Sequence, residues 1–280
     1  MVKKKFIIGE EWLYYKIYCG VKTTDLLLTD VFKPLINKLL SKNKIDQWFF
    51  IRYHDSDNHL RLRFHFQKIE HLGSVINSVK ETLTPYLNNN SIHTISIDTY
   101  KRELSRYGTK TIKQVERLFF NDSLCIVSAI TLIESEDLLL LFAMKNTDDL
   151  LTNFEFSLAQ KLAFAQIQMQ YYKEEFHVVK ITNKQLSKKF AERKTTIFQF
   201  LDNLETLKEY QELNKILTSK THKDQRTIKQ IKPNKIDISS LIHMSINRTF
   251  RSKQRLYEML HYDFLVRYYK AKIAREKYIK

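Results

Sequence analysis

Glycine and proline are scarce in this chain of 280 residues. No two glycines lie close enough for a GxGxxG or a GxxxxGK[ST] loop, which excludes the glycine-rich loops that cradle dinucleotides and nucleotide phosphates. The sequence has only three prolines, and its four glycines are Gly9, Gly20, Gly73 and Gly108.

Cysteine and long apolar runs are also nearly missing. Cys19 and Cys125 cannot form a disulfide framework or a four-cysteine zinc site, and HExxH, CxxC and GxSxG motifs do not occur. The sequence therefore predicts no metal and no cofactor. The longest apolar run, Leu138–Met144, is far shorter than the about 20 residues that cross a bilayer, and no secretory signal follows Met1. We expect a cytoplasmic protein without membrane insertion.

Positive charge is abundant and unevenly distributed. The formal net charge is +16, and Lys180–Lys235 carries 14 Lys and Arg residues against 6 Asp and Glu residues. This surplus is typical of a surface that binds RNA, DNA or an acidic peptide. A solvated helix face followed by a basic loop is the favoured interpretation, since no zinc-finger spacing or RNP-like aromatic motif accompanies the charge.

Short aromatic and β-branched stretches alternate with helical patterns over residues 1–109. The predicted order is β-α-β-β-α-β, which is that of a ferredoxin-like unit. The predicted strands and helices, in chain order, are Trp12–Cys19, helix Asp25–Leu40, Gln47–Tyr53, His59–Phe66, helix Gly73–Leu87 and Ser91–Tyr100.

Helical periodicity dominates residues 110–280. A polar stretch over residues 218–237, which includes Pro233, predicts a mobile loop there. We therefore predict an α+β protein with one domain over residues 1–280, in which the ferredoxin-like unit packs against a mainly helical C-terminal half. The predicted helices are Ile112–Leu118, Ser123–Met144, Phe154–Tyr172, Asn183–Thr218, Ser239–Asn247 and Ser252–Tyr278.

The strand HLRLRFHF places polar and apolar side chains on opposite faces. Arg61 and Arg63 share one face about 7 Å apart, and two guanidinium groups at that spacing can grip a carboxylate or an oxyanion. Arg52 on the preceding strand predicts a third positive charge nearby. A basic, solvent-facing strand edge is the alternative interpretation.

The segment RELSRYG follows the last predicted strand. Glu103 and Arg106 are three residues apart, so they can pair on a helical turn. Gly108 permits a positive φ directly after that turn. A surface ion pair ahead of a helix C-terminus accounts for the same spacing.

The segment SLIHMSINR places a histidine and an asparagine on one helix face. His243 and Asn247 are four residues apart, so the amide can orient the imidazole, and histidine is the usual general base near neutral pH. A histidine whose hydrogen bonds are satisfied within a helix interface is the alternative.

These motifs together resemble a known family. The block WFFIRYHDSDNHLRLRFHF, then YKRELSRYG and SLIHMSINR, is similar to the C-terminal elimination domain of class I lanthipeptide dehydratases, a family that includes stand-alone thiopeptide proteins. The resemblance runs from Trp12 to about Tyr269. It implies a stand-alone form without the N-terminal glutamylation domain. The family pattern leads us to expect a second glycine after RYG, where this chain has Thr109.

The resemblance implies a lyase. It would expel glutamate from glutamylated Ser or Thr of a ribosomally made precursor peptide with a leader, which forms dehydroalanine or dehydrobutyrine. A separate glutamylation protein that uses glutamyl-tRNA would supply the ester. The family's elimination residues match Arg61, Arg63, Glu103, Arg106 and His243.

The resemblance also leaves supporting roles and other functions open. We expect Arg52, Tyr107 and Asn247 to assist substrate binding. One alternative is a cycloaddition enzyme that joins two dehydroalanines into a pyridine-type ring on the same scaffold. Another is a non-catalytic basic protein that binds a peptide or nucleic acid.

Overall fold

A computed structural model describes residues 2–231 and 236–279 of the chain. Helices outnumber strands, and all strands pair antiparallel. The α+β class and the helical second half predicted from the sequence are confirmed. The strands are β1 (Lys5–Phe6), β2 (Trp12–Cys19), β3 (Gln47–His54), β4 (Asn58–His65), β5 (Ile92–Asp98) and β6 (Tyr100–Lys101).

Helices connect the strands and make up the rest of the fold. A π-helical segment, Leu27–Phe32, joins α1 to α2. The helices are α1 (Val21–Leu26), α2 (Lys33–Ser41), α3 (Leu72–Asn88), α4 (Leu104–Tyr107), α5 (Ile112–Ile130), α6 (Glu136–Asn153), α7 (Leu158–Glu175), α8 (Lys180–Asn203), α9 (Gln211–Ile228), α10 (Ile238–Thr249) and α11 (Gln254–Ile279).

The chain divides into two compact units. The first comprises residues up to Thr131 together with Lys229–Ser252, and the second comprises Leu132–Ile228 and the segment from Lys253 onward. The division does not fall at residue 109, because α5 packs on β3 and so belongs with the sheet. No helix of the described residues is long and apolar enough to cross a bilayer.

The predicted loop over residues 218–237 is wrong up to Ile228. Those residues continue α9, in which Leu213 and Leu217 are buried. Buried apolar contacts outweigh the polar composition that suggested a loop. Pro233 and its neighbours at 232–235 lie outside the described residues.

The main sheet has the order β3-β4-β2-β5. One face is apolar: Leu60, Leu62 and Phe64 of β4 are fully buried there. The residues between them point to the opposite face, as strand geometry requires. A separate two-stranded sheet pairs β1 with β6 and brings Tyr100 against Phe6, with ring centroids 5.8 Å apart.

Candidate active site

Arg63 is the most deeply buried of the predicted site residues on β4. Its guanidinium carbon lies 4.3 Å from the ring centroid of Tyr14 and 5.1 Å from those of Phe49 and Tyr100. Its Nε and Nη1 atoms are buried and have no hydrogen-bond partner within residues 2–231 and 236–279. Burial lowers the pKa of Arg63, and the negative charge of Glu103 opposes that shift. A buried cation with unused donors is a site for an anion.

Arg61 points from the same face of β4 and is more exposed. Its guanidinium carbon stacks 3.3 Å from the ring centroid of Tyr53, and its Nε donates to His59 Nε2 over 3.0 Å. Because arginine can only donate, His59 Nε2 is unprotonated, and its Nδ1 donates to the Asp57 carbonyl. Burial lowers the pKa of His59, which favours this neutral form. His59 therefore orients Arg61.

Arg52 lies on the opposite face of the sheet. The register pairs it with Leu60, so its side chain points with the apolar residues of β4. There its Nη1 pairs with Asp25 at 2.6 Å and its Nε donates to the Arg248 carbonyl. The prediction that Arg52 adds a third positive charge beside Arg61 and Arg63 is wrong. Residues paired across neighbouring strands point to the same face, and Arg52 is paired with Leu60, not with Arg61 or Arg63.

The side-chain amide of Asn247 binds the backbone of edge strand β3. Its Oδ1 accepts from the Arg52 N–H at 3.0 Å and its Nδ2 donates to the Arg52 carbonyl at 2.9 Å. Arg248 donates to the Phe50 carbonyl, while the Phe50 N–H donates to Ser123. Asn247 thus holds α10 against β3, which differs from the predicted amide that orients His243.

His243 lies near the middle of α10 and is half-buried. Asp237 is the N-cap of this helix, and its side chain accepts from the Ser240 backbone N–H. The position of α10 against β3 brings His243 into the same compact unit as Arg61 and Arg63.

Glu103 and Arg106 form the ion pair that their spacing predicts. Arg106 Nη1 lies 3.1 Å from Glu103 Oε2, and both side chains are about half exposed. Gly108 follows with φ of 75°, and an added Cβ would meet the Thr111 hydroxyl at 2.8 Å. The pair is exposed enough to contact a bound molecule.

Tyr107 is buried beside this pair. Its ring packs 5.4 Å from that of Phe119, and burial raises the pKa of its phenol to about 12. Tyr107 is therefore a neutral group at neutral pH, able to donate a hydrogen bond but not to carry charge.

Several site-forming residues could not be found by motif. Glu116, almost fully buried, accepts from Arg102 through both carboxylate oxygens at 2.6 Å and from the Tyr100 hydroxyl at 2.8 Å. This network fixes the ring that stacks on Arg63. The alternation in β2 gives the only sequence signal, since it places Tyr14 and Lys16 on the Arg63 face.

The face of Arg61 and Arg63 also carries an ion pair, which adds no net charge. Lys16 lies opposite Arg61 in the register and pairs with Asp98 at 2.5 Å. Among the described residues, no group of three or more His, Cys, Asp or Glu side chains is arranged to hold a metal ion. The arrangement suits the binding of an anion by fixed guanidinium groups.

Curated relatives match part of the chain. Residues align at 27% identity over 161 positions with the subtilin biosynthesis protein SpaB of Bacillus subtilis, covering 56% of this chain and 15% of that protein. The nisin biosynthesis protein NisB of Lactococcus lactis subsp. lactis aligns at 34% identity over 125 positions, which cover 44% of this chain and 12% of NisB. The chain thus spans only a small part of the length of these relatives.

Solved structures share the fold over nearly the whole chain. The tRNA-dependent lantibiotic dehydratase MibB from Microbispora sp. 107891 superposes with a TM-score of 0.73 at 18% identity, covering 97% of this chain and 29% of MibB. TbtD, the pyridine synthase from thiomuracin biosynthesis, superposes with a TM-score of 0.63 at 11% identity, covering 94% of this chain and 100% of TbtD.

A match to a family model shows which protein family the chain belongs to. The family described as "Lantibiotic biosynthesis dehydratase C-term" matches residues 12–269, which contain all the predicted site residues. The span agrees with the resemblance found from the motifs. The chain belongs to the lantibiotic biosynthesis dehydratase C-terminal family.

Proposed function

We propose that this protein eliminates glutamate from glutamylated Ser or Thr residues of a ribosomally made precursor peptide. The observation that carries the proposal is the buried guanidinium of Arg63, whose Nε and Nη1 donors have no partner among the described residues. An anion would satisfy these donors, and the leaving glutamate brings carboxylates of the complementary charge. Membership of the dehydratase family supports the same reaction.

The proposed elimination breaks two bonds of the glutamylated residue. The Cα–H bond gives up a proton, the Cβ–O bond releases glutamate as a carboxylate, and a Cα=Cβ double bond forms. In this scheme Arg61 and Arg63 bind the glutamyl carboxylate or the negative charge that develops on the peptide carbonyl. His243 moves the proton, and the exposed pair of Glu103 and Arg106 contacts the substrate.

Further parts of the proposal concern organisation and partners. We infer that both compact units act as one elimination-type domain over residues 1–280, since the family match crosses both. A ferredoxin-like class for β2–β5 is supported by the strand order and the intervening helices. A separate glutamylation protein that uses glutamyl-tRNA supplies the ester, which places the reaction in the cytoplasm.

Mass spectrometry of a glutamylated precursor peptide tests the proposal. We expect the protein alone to release free glutamate and to leave dehydrated residues. Arg61→Gln and His243→Gln change half-buried side chains, so both variants should fold while elimination slows by roughly 100-fold. Arg226→Gln, at an exposed position on α9, is the matched control and should keep full activity.

The same assay can contradict the proposal. Elimination that continues unchanged in both Arg61→Gln and His243→Gln would exclude the assigned roles. A folded protein that leaves a verified glutamylated peptide unchanged, and instead converts a dehydrated peptide to an ultraviolet-absorbing ring, would establish cycloaddition.

A further inference from the structure

A second concave site lies in the other compact unit, among α7, α8 and α11. The cavity has a volume of about 380 Å³, within the range of small ligand sites. Its floor includes the apolar side chains of Met169 and Val266. Its polar lining is Lys173, Lys180, Asn183, Lys184, Ser187, Asp263, Arg267 and Lys270.

Positive charge exceeds negative charge in this cavity, which we name the α8 cavity. Asp263, the one carboxylate of the lining, is buried and shared by Lys173 and Arg267, each at 2.6 Å. Arg267 also donates to Ser187, at 3.0 Å. These contacts fix the two cations that they involve. Two cations share one carboxylate, so this cluster keeps one net positive charge, and the other three lysines of the lining add the rest.

Three lysines of the α8 cavity remain available to a ligand. Lys180, Lys184 and Lys270 are exposed, and none forms an ion pair with any residue that the structure describes. Like charges held close together repel each other, so this arrangement costs stability unless an anion binds.

The start of α8 adds to the same positive potential. Val179 occupies the N-cap position without a side-chain hydrogen bond, and the first turn contains no acidic residue. The N-cap side chain therefore accepts from none of the first N–H groups of this 24-residue helix, and the helix dipole is positive at this end. Lys180 in that first turn is unfavourable for the helix alone, and a bound carboxylate would offset this.

Apolar side chains are exposed around the lysines. Val179 is 60% exposed and Ile181 is 70% exposed, one on each side of Lys180. Exposed apolar groups that border a charged cavity are typical of a surface for a peptide with both kinds of side chain.

We propose that the α8 cavity binds an acidic, apolar-containing stretch of the peptide substrate. Carboxylates of that stretch contact Lys180, Lys184 and Lys270, and its apolar side chains pack on Val179 and Ile181. The identification of this peptide as the substrate rests on the function proposed above. RNA fits less well, because the cavity lining has no aromatic side chain on which a base could stack.

Fluorescence anisotropy with a labelled 12-residue peptide of alternating glutamate and leucine tests this proposal directly. The double variant Lys180→Glu, Lys184→Glu should bind the probe at least about ten-fold more weakly than the unmodified protein. The matched control is Lys189→Glu, Lys194→Glu, which makes the same charge change on exposed positions of α8 outside the cavity. The control should keep its affinity within about two-fold.

Two further probes decide between charge alone and the proposed peptide. A probe with glutamine in place of glutamate, and one with serine in place of leucine, should each bind more weakly. Equal affinity of the cavity variant and its control would overturn the proposal. So would tighter, cavity-dependent binding of a 12-nucleotide oligouridylate, which would assign the cavity to RNA.

This test is independent of the elimination reaction. It measures binding in the absence of chemistry, so an inactive protein with cavity-dependent peptide binding would contradict the proposed function and not the peptide site. An active lyase that does not bind the probe through the cavity would contradict the peptide site and leave the proposed function intact.

Discussion

The planar shape of Arg63 matters as much as its charge. Its guanidinium lies within 4.3–5.1 Å of three aromatic ring centroids, and two of its donors are buried without partners. Lysine would keep the positive charge but lose both the stacking and the fork of donors. We therefore predict that Arg63→Lys reduces glutamate elimination by roughly 100-fold.

Single-turnover release of glutamate, followed by mass spectrometry, measures this effect. Circular dichroism and a thermal melt show whether the variant is folded. Arg226→Lys on exposed α9 serves as control. Full activity of a folded Arg63→Lys protein would mean that a point charge suffices, and the role assigned to the planar guanidinium would then be wrong.

The sequence locates Arg63 on a strand face but does not reveal its surroundings. Period-two alternation in β4 is a local property and is confirmed by the burial of Leu60, Leu62 and Phe64. The stacking of Tyr100 on Arg63 depends on a short sheet between β1 and β6 and on buried Glu116. Those are contacts between distant parts of the chain, for which a single sequence carries no signal.

The junction between α10 and β3 is the element on which the geometry of the site depends. A free sheet edge exposes unpaired backbone groups, and here the Asn247 amide satisfies both polar groups of Arg52. We predict that Asn247→Ala lowers the free energy of unfolding by about 2 kcal/mol, since two partly buried backbone groups lose their partners. Asn247→Asp keeps the acceptor but sets a carboxylate oxygen against the Arg52 carbonyl, so we expect a loss at least as large as that of Asn247→Ala.

Urea denaturation measures the loss, and hydrogen exchange locates it. The Arg52 amide should exchange faster in Asn247→Ala than in the unmodified protein. If Asn247→Ala leaves stability and exchange unchanged but abolishes elimination, Asn247 contacts the substrate instead of the strand.

Element boundaries show which parts of the sequence pattern are reliable. Strand β2 has the predicted bounds, Trp12–Cys19, because its aromatic and β-branched run is continuous. The predicted helix Ser123–Met144 is instead parts of two helices, since α5 ends at Ile130 and Ser135 caps α6. Apolar periodicity continued across that break, and the helix cap within it was the better signal.

At the scale of the whole molecule, the predicted site residues come from two stretches that are far apart in the sequence. Residues from Arg61 to Tyr107 lie in the first unit, and the segment Lys229–Ser252 returns to it after the helices of the second. The order of the three motifs along the chain is enough to recognise the family. It does not reveal that the segment with His243 belongs to the first unit. Only the structure shows that α10, the helix that carries His243, is bonded to β3 through Asn247 and Arg248.

A buried histidine in the second unit predicts how the whole molecule responds to acid. His261 on α11 is fully buried, and neither of its ring nitrogens has a hydrogen-bond partner in the part of the chain that the structure describes. Burial lowers its pKa from 6.5 to about 3. Above pH 6.5 the imidazole is neutral in both folded and unfolded chains, so it does not affect the pH dependence there. Below pH 6.5 only the unfolded chain gains a proton, so stability falls until the folded pKa is reached.

Replacing this histidine should remove that part of the acid sensitivity. His261→Phe keeps an aromatic ring next to Tyr262, 5.1 Å away between centroids, and has no group to titrate. Between pH 7.5 and pH 5, the unmodified protein should lose about 2 kcal/mol of unfolding free energy more than the variant. Urea denaturation of both proteins at the two pH values gives this difference. Parallel losses in the two proteins would show that His261 gains its proton in the folded state, and acid sensitivity would then have to be sought in the carboxylates.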